Sequence, residues 1–199
     1  MTPASIKPNR MQAQMAAAWL GECDIIAAQC GWGAGKTFGV VLIWILLDQA
    51  KPGIRILQVV DTTDRYHVTL SKECEALLKP RGWTYTSQEG RKWVSPAGSV
   101  VIVKSYFRPK TRSVDHNSLE GIDVHVAIID EAQCMRPEVM LRVLGRIRSG
   151  RPPQLMMCGV PTWDNWWIRE ARKLHGTIDE GSGNALRAAI IMAPSTVNT

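Results

Sequence analysis

The chain has no apolar run long enough to cross a bilayer. Its longest, residues 40–47, falls well short of the roughly 20 residues that a membrane-spanning helix needs, so no membrane partner is expected. A disulfide framework is missing too: Cys23, Cys30, Cys74, Cys134 and Cys158 form no CxxC pair and are odd in number. Reduced, mostly buried thiols in an intracellular protein fit that pattern better. His67, His116, His125 and His175 have no metal-ligand spacing, which leaves them as surface or core residues. Repeats and low-complexity tracts are lacking. No signal peptide is expected, since Lys7 and Arg10 lead into a short, alanine-rich, amphipathic segment. What is present, 199 residues with 45% hydrophobic and 21% charged content, suits one α/β domain with a sizeable core. The net charge of +6 suits a polyanionic partner but is a weak signal by itself.

The strongest local signal is Cys30-Gly31-Trp32-Gly33-Ala34-Gly35-Lys36-Thr37. An apolar run, Ile25-Ile26-Ala27-Ala28, precedes it, and residues 38–47 continue as a helix long enough to bury. Strand, glycine-rich turn and helix in that order are the setting of a phosphate-binding loop. Gly31, Gly33 and Gly35 let backbone N–H groups turn towards an anion. The helix start adds unpaired N–H groups and the positive end of its dipole. Lys36 places a point charge at the β- and γ-phosphates of ATP, and the Thr37 hydroxyl is a ligand for Mg²⁺. The pattern G-x-x-x-x-G-K-[ST] is broken only at its first position, by Cys30.

A second apolar run, Val124-His125-Val126-Ala127-Ile128-Ile129, ends in Asp130-Glu131-Ala132. Such a run predicts a parallel strand covered on both faces. At its end Asp130 is placed to hold Mg²⁺ beside Thr37, and Glu131 to take a proton from the attacking water. A solvated acidic pair capping the next helix explains either residue alone. The two motifs together, in this order, point to a nucleoside triphosphatase.

Strands are predicted at 23–29, 54–60, 154–158 and 186–192, and helices at 36–49, 63–78, 137–148 and 164–174. Residues 83–106 read as antiparallel β, with strands at 92–95 and 100–103 around a Pro96-Ala97-Gly98-Ser99 turn, and 107–123 as a polar, basic loop. The fold class is α/β, a doubly wound, mainly parallel sheet of the P-loop NTPase type (ASCE/RecA-like) with a β-hairpin insertion.

Over nearly its whole length the chain resembles the large terminase subunits of tailed bacteriophages. Residues 8–13, Pro-Asn-Arg-Met-Gln-Ala, resemble the family's adenine-contacting segment, within which Gln12 corresponds to the base-pairing glutamine. A solvated helix residue is the other reading of Gln12. Residues 30–37 are similar to the family's G-G-R-G-x-G-K-[ST] loop, and 117–132 to its run into the acidic strand. Residues 158–167, Cys-Gly-Val-Pro-Thr-Trp-Asp-Asn-Trp-Trp, resemble the segment that couples hydrolysis to movement in the family.

The resemblance implies an ATPase that pumps double-stranded viral DNA into a capsid. It implies a homo-oligomeric ring, a pentamer docked on the portal protein, with the small terminase subunit as a further partner. The setting is the host cytoplasm, at the portal of the procapsid. Residues 1–22 then form the adenine-contacting segment, and 186–199 the last strand and the start of a linker to a nuclease domain that this chain lacks.

Two departures stand out. The family's arginine four positions before the loop lysine is Trp32 here, and its arginine before the glycine at 121 is Glu120. An arginine must therefore come from elsewhere: Arg108 and Arg112, or Arg142, Arg146, Arg148 and Arg151 acting in trans, of which Arg146 and Arg148 are the preferred pair. For each, a solvated surface charge is the default reading. Trp32 either packs on a neighbouring subunit, covers the nucleotide or packs into the core. Trp166 and Trp167 are expected to bury against the sheet. Asn165 either acts near the nucleotide or caps a helix. Candidate DNA-phosphate contacts are Lys104, Arg108, Lys110 and Arg112, and Arg169, Arg172 and Lys173. Two rival readings stay open, a helicase-like ATPase and a nucleotide-binding switch with little hydrolysis.

Overall fold

The structure is a computed structural model, and it describes residues 7–21, 23–88, 90–108, 113–114, 119–148, 154–177 and 184–193, with backbone only at 107–108 and 113–114. Eight strands form the main sheet: β1 (Ile25–Cys30), β2 (Arg55–Val60), β3 (Thr84–Thr86), β4 (Arg91–Val94), β5 (Val100–Ser105), β8 (Val126–Ile129), β9 (Gln154–Gly159) and β10 (Ala188–Ala193). Their order across the sheet is β10-β1-β9-β8-β2-β5-β4-β3. From β10 to β5 every pairing is parallel, whereas β4 and β3 run antiparallel at the edge. The expected hairpin is therefore the continuation of the main sheet. Phe107–Arg108 (β6) and Ser113–Val114 (β7) make a separate two-stranded ribbon inside the stretch read as loop.

The central strands are apolar without alternation because both faces are covered. On one face Ile26, Ala28, Ile56, Val126, Ile128 and Met156 pack with α1 (Arg10–Leu20), α2 (Lys36–Ala50) and α4 (Ser71–Leu78). On the other, Ile25, Ala27, Leu57, Ala127, Leu155 and Met157 pack with α5 (Glu138–Leu144) and α6 (Trp166–Leu174). The result is a three-layer α/β/α fold.

Two helices differ from the sequence expectation. The 63–78 helix holds a π-helical turn, Tyr66–Leu70, between α3 (Thr63–Arg65) and α4. There Tyr66 is buried against the hairpin, and its hydroxyl accepts a 3.0 Å hydrogen bond from Trp93 Nε1. α5 stops at Leu144 instead of running to 148. Beyond Gly145 the backbone leaves the helix to pair with the residues before β8: Val124 N–H donates to Arg146 O (3.0 Å) and Arg148 N–H to Val124 O (2.9 Å). Among the described residues no helix is long and apolar enough to cross a membrane.

Candidate nucleotide site

In a parallel sheet the loops after the strands' C-terminal ends form the natural binding edge. Three of these loops matter here. β9 pairs with β1 on one side and β8 on the other. The turn after β9 therefore lies between the loop after β1 and the acidic pair after β8.

Cys30 ends β1 as a fully buried strand residue paired with Ala193, so the missing glycine falls where extended backbone makes none necessary. Burial pushes its thiol up to about 11, against the pull of Lys36. Burial likewise holds the Cys158 thiol, on β9, well above the usual range. Both stay protonated, and all five cysteines are free thiols. Left-handed backbone begins at Gly33 (φ 73°) and recurs at Gly35 (φ 77°). Gly35 has a second constraint, because a Cβ there would stand 2.6 Å from Gln12 Nε2.

The start of α1 is laced to this loop. Asn9 and Gln12 form a capping box, in which the Asn9 side chain accepts from Gln12 N–H (3.0 Å) and Gln12 Oε1 from Asn9 N–H (2.9 Å). Asn9 Nδ2 donates to Ala34 O and Gln12 Nε2 to Gly35 O, each at 3.0 Å. Gln12 is thus buried at the loop rather than solvated. Lys36 is 7% exposed, and its Nζ donates to Cys30 O (3.3 Å) and Gly31 O (3.2 Å). Thr37 follows it, half-buried, in the first turn of α2. Trp32 is 70% exposed at the tip of the turn and takes no part in the core.

Asp130 is 4% exposed, and its carboxyl is pushed up to about 7, first by burial and then by the charge of Glu131, with the Glu131 N–H and Lys36 pulling the other way. Its Oδ1 accepts Glu131 N–H at 2.9 Å. Glu131 adopts φ 54°, ψ 47°, a left-handed backbone found at no other non-glycine residue among those described. That conformation costs of order 1–3 kcal/mol and is typical of residues held for a purpose. Beside the Glu131 side chain, Arg65 Nη1 lies 3.9 Å from Oε1, and Gln133 Nε2 donates to Oε2.

The residues suit Mg²⁺. A buried carboxyl whose ionised form is short of compensating charge gains from a nearby cation, and carboxylate and hydroxyl oxygens are the hard donors this ion prefers. Among the described residues no group of three or more His, Cys, Asp or Glu is placed to hold a metal unaided.

The structure brings Gln12, residues 31–37, Asp130 and Glu131 to one edge of the sheet. Arg142 lies on α5, while Arg146 and Arg148 sit beside Val124 at the opposite ends of the strands. Asp130 lies six positions along the chain from Val124, across the whole of β8, or about 20 Å of extended backbone. Arg148 pairs there with Asp123 at 3.2 Å. Arg146 and Arg148 therefore cannot serve Glu131 within one chain. Lys110, Arg112 and Arg151 lie outside the described residues, as does the Arg108 side chain.

Lys104 is half-buried near the end of β5. Arg169 pairs with Asp164 (2.8 Å) and Lys173 with Glu170 (2.8 Å), which leaves less free charge on α6 than its sequence suggests. Trp166 and Trp167 are buried as expected, whereas Trp163 is 99% exposed. Asn165 makes no helix-capping bond; its Oδ1 accepts Thr162 N–H at 2.8 Å and shapes the turn after β9. Two site neighbours escaped the sequence reading. Gln133, two residues beyond Glu131, was within reach of it, but nothing local marks Arg65.

An open, mainly parallel sheet with a phosphate loop on one strand and an acidic pair on the next but one defines the fold of P-loop nucleoside triphosphatases. Among solved structures, this is the fold of phage large terminase ATPase domains. The large terminase of a thermophilic bacteriophage in complex with ATP-γ-S matches at a TM-score of 0.71 and 12% identity, covering 96% of this chain and 46% of that one. The large terminase ATPase domain of Thermus phage P74-26 matches at 0.62 and 19%, covering 94% and 81%. The SWI2/SNF2 ATPase core of Sulfolobus solfataricus in complex with dsDNA matches at 0.55 and 12%, covering 96% and 46%. The chain thus spans about half the length of the first of these proteins. No protein-family model and no curated protein matches it.

Proposed function

We propose that the chain hydrolyses ATP to drive double-stranded viral DNA into a capsid, as the ATPase part of a terminase large subunit. The observation that supports this most is the meeting of Lys36 with Asp130 and Glu131 at one sheet edge, close enough for the lysine's charge to act on Asp130. N–H groups of residues 31–37 and the Lys36 ammonium bind the β- and γ-phosphates of ATP, and Thr37 and Asp130 hold Mg²⁺. An ion held there would supply positive charge against that building on the phosphates. Glu131 orients a water and takes its proton. Gln12 secures the loop and contacts the adenine.

Arg146 and Arg148 lie at the opposite ends of the strands from their own chain's site, so their target is a neighbour's. A head-to-tail ring, here a pentamer on the portal protein in the host cytoplasm, supplies such a contact. DNA is gripped through its phosphates without base readout, and the small terminase subunit is the further partner.

The test is specific ATPase activity against protein concentration, with and without linear duplex DNA, and with Glu131→Gln as control. Activity that rises with concentration and vanishes in the variant is expected. Nucleotide binding without turnover at any concentration favours the nucleotide switch, and failure to bind ATP sinks the proposal. The likeness to the SWI2/SNF2 core supports a second reading, a helicase-like duplex translocase. Packaging of DNA into emptied capsids separates the two.

A further inference from the structure

Gln133 makes two hydrogen bonds in opposite directions. Its Nε2 donates to Glu131 Oε2, and its Oε1 accepts Val160 N–H at 3.1 Å. A primary amide offers a donor and an acceptor on one rigid plane, so the glutamine joins the acidic pair after β8 to the turn after β9. Its own position is fixed. The 3₁₀ turn that carries it, Ala132–Cys134, is pinned by Trp166 Nε1, which donates to Ala132 O at 2.9 Å. Beside it, a Cβ at Gly159 would stand 2.6 Å from Gln133 Oε1 and 2.8 Å from Trp167 Cζ2. The amide and the buried indole together fill the space that any side chain at 159 needs.

We propose that Gln133 is a positioning residue that sets the orientation of the Glu131 carboxylate and ties it to the 160–165 turn, so that a shift of either is felt by the other. This rests on the ATPase reading for its kinetic consequence, but the mechanical tie stands on the two hydrogen bonds alone. The turn has its own internal bracing, from Thr162 N–H to Asn165 Oδ1 (2.8 Å) and from Thr162 Oγ1 to Asp164 O (3.0 Å). It can therefore move as a unit when Val160 is pulled.

Two measurements test this. The first is amide hydrogen exchange at Val160 in the 199-residue chain. Gln133→Ala removes its acceptor, and exchange is expected to quicken about tenfold. Glu131→Ala leaves that acceptor in place but frees the other end of the glutamine, and a rise of about threefold or more is expected. Val160 exchange in Glu131→Ala equal to wild type overturns the tie.

The second is steady-state ATP hydrolysis. Gln133→Ala is expected to lower kcat about tenfold to a hundredfold, with KM for ATP and Kd for ADP within about threefold. Gln133→His can donate from one ring nitrogen and accept at the other, and is expected to recover most of the loss. A raised KM with unchanged kcat, or a histidine variant no better than alanine, overturns the positioning role. Thermal melts of all variants exclude unfolding as the cause. A wild-type chain that neither binds ADP nor turns over ATP refutes the ATPase reading and the kinetic role together, and the exchange arm then decides the tie separately.

Discussion

Arg65 Nη1 lies 3.9 Å from Glu131 Oε1, and Arg65 Nε lies 3.3 Å from Asp61 Oδ2. β2 and β8 are neighbours in the sheet, so the turn after β2 ends beside the acidic pair. Thr62 Oγ1 caps this turn by accepting Arg65 N–H at 3.2 Å. On the proposed ATPase reading, a guanidinium at this edge holds the carboxylate in place and stabilises charge on a transferring phosphoryl group. Arg65→Ala is expected to lower kcat by roughly tenfold or more, with a smaller change in ADP affinity, and Arg65→Lys to recover part of it. Unchanged turnover would reduce the pair to a surface contact.

Asp130→Asn is expected to stabilise the ligand-free protein while abolishing hydrolysis. The folded carboxyl titrates at about 7 against an ordinary value of 3.8, so its ionised form is disfavoured by folding. Wild-type stability therefore falls as pH rises through that window, and the variant, which does not titrate there, escapes the loss. The difference should open between about pH 4 and 7 and level off above it, at about 4 kcal/mol as an upper figure. Chemical denaturation at pH 5 and pH 8 measures it. A gap that does not widen with pH would refute the account.

Cys30→Gly restores the usual first glycine of the loop and is nevertheless expected to harm the protein. The residue is a buried strand position with no need of left-handed backbone, so glycine there loses packing and adds unfolded-state freedom. A loss of about 1–2 kcal/mol is expected, seen as a Tm lower by several degrees. ADP affinity should stay within about twofold. Tighter binding would show that Cys30 does restrain the loop.

Gly159→Ala is expected to do two things at once. The added methyl group meets Gln133 and the rigid Trp167 ring, which costs about 1–3 kcal/mol. It also displaces the glutamine amide, so kcat should fall alongside Tm, in the same direction as in Gln133→Ala. A variant with lowered Tm and unaltered kcat would separate packing from catalysis.

The glycine-rich loop, the acidic strand and most helices were legible because their determinants are local. Glycines at 33 and 35 set the turn, a helix start follows at Lys36, and an apolar run ends at Asp130. The short α5 and the π turn were not legible. Their backbone is decided by partners distant in the chain, Val124 for one and the hairpin carrying Trp93 for the other.

Arg146 and Arg148 show the same limit from the functional side. Read along the chain they follow Glu131 closely; in the fold α5 carries the backbone from one edge of the sheet to the other. The sequence by itself determined the glycine-rich turn into a helix and the apolar strand ending in an acidic pair, because backbone conformation and side-chain chemistry are properties of a few consecutive residues. Only the tertiary structure decided what surrounds them. Strand order puts the β9 turn between the loop and the acidic pair, brings Arg65 to Glu131 and sets Val160 against Gln133, and strand order is set by burial of whole faces, which no short stretch of sequence encodes.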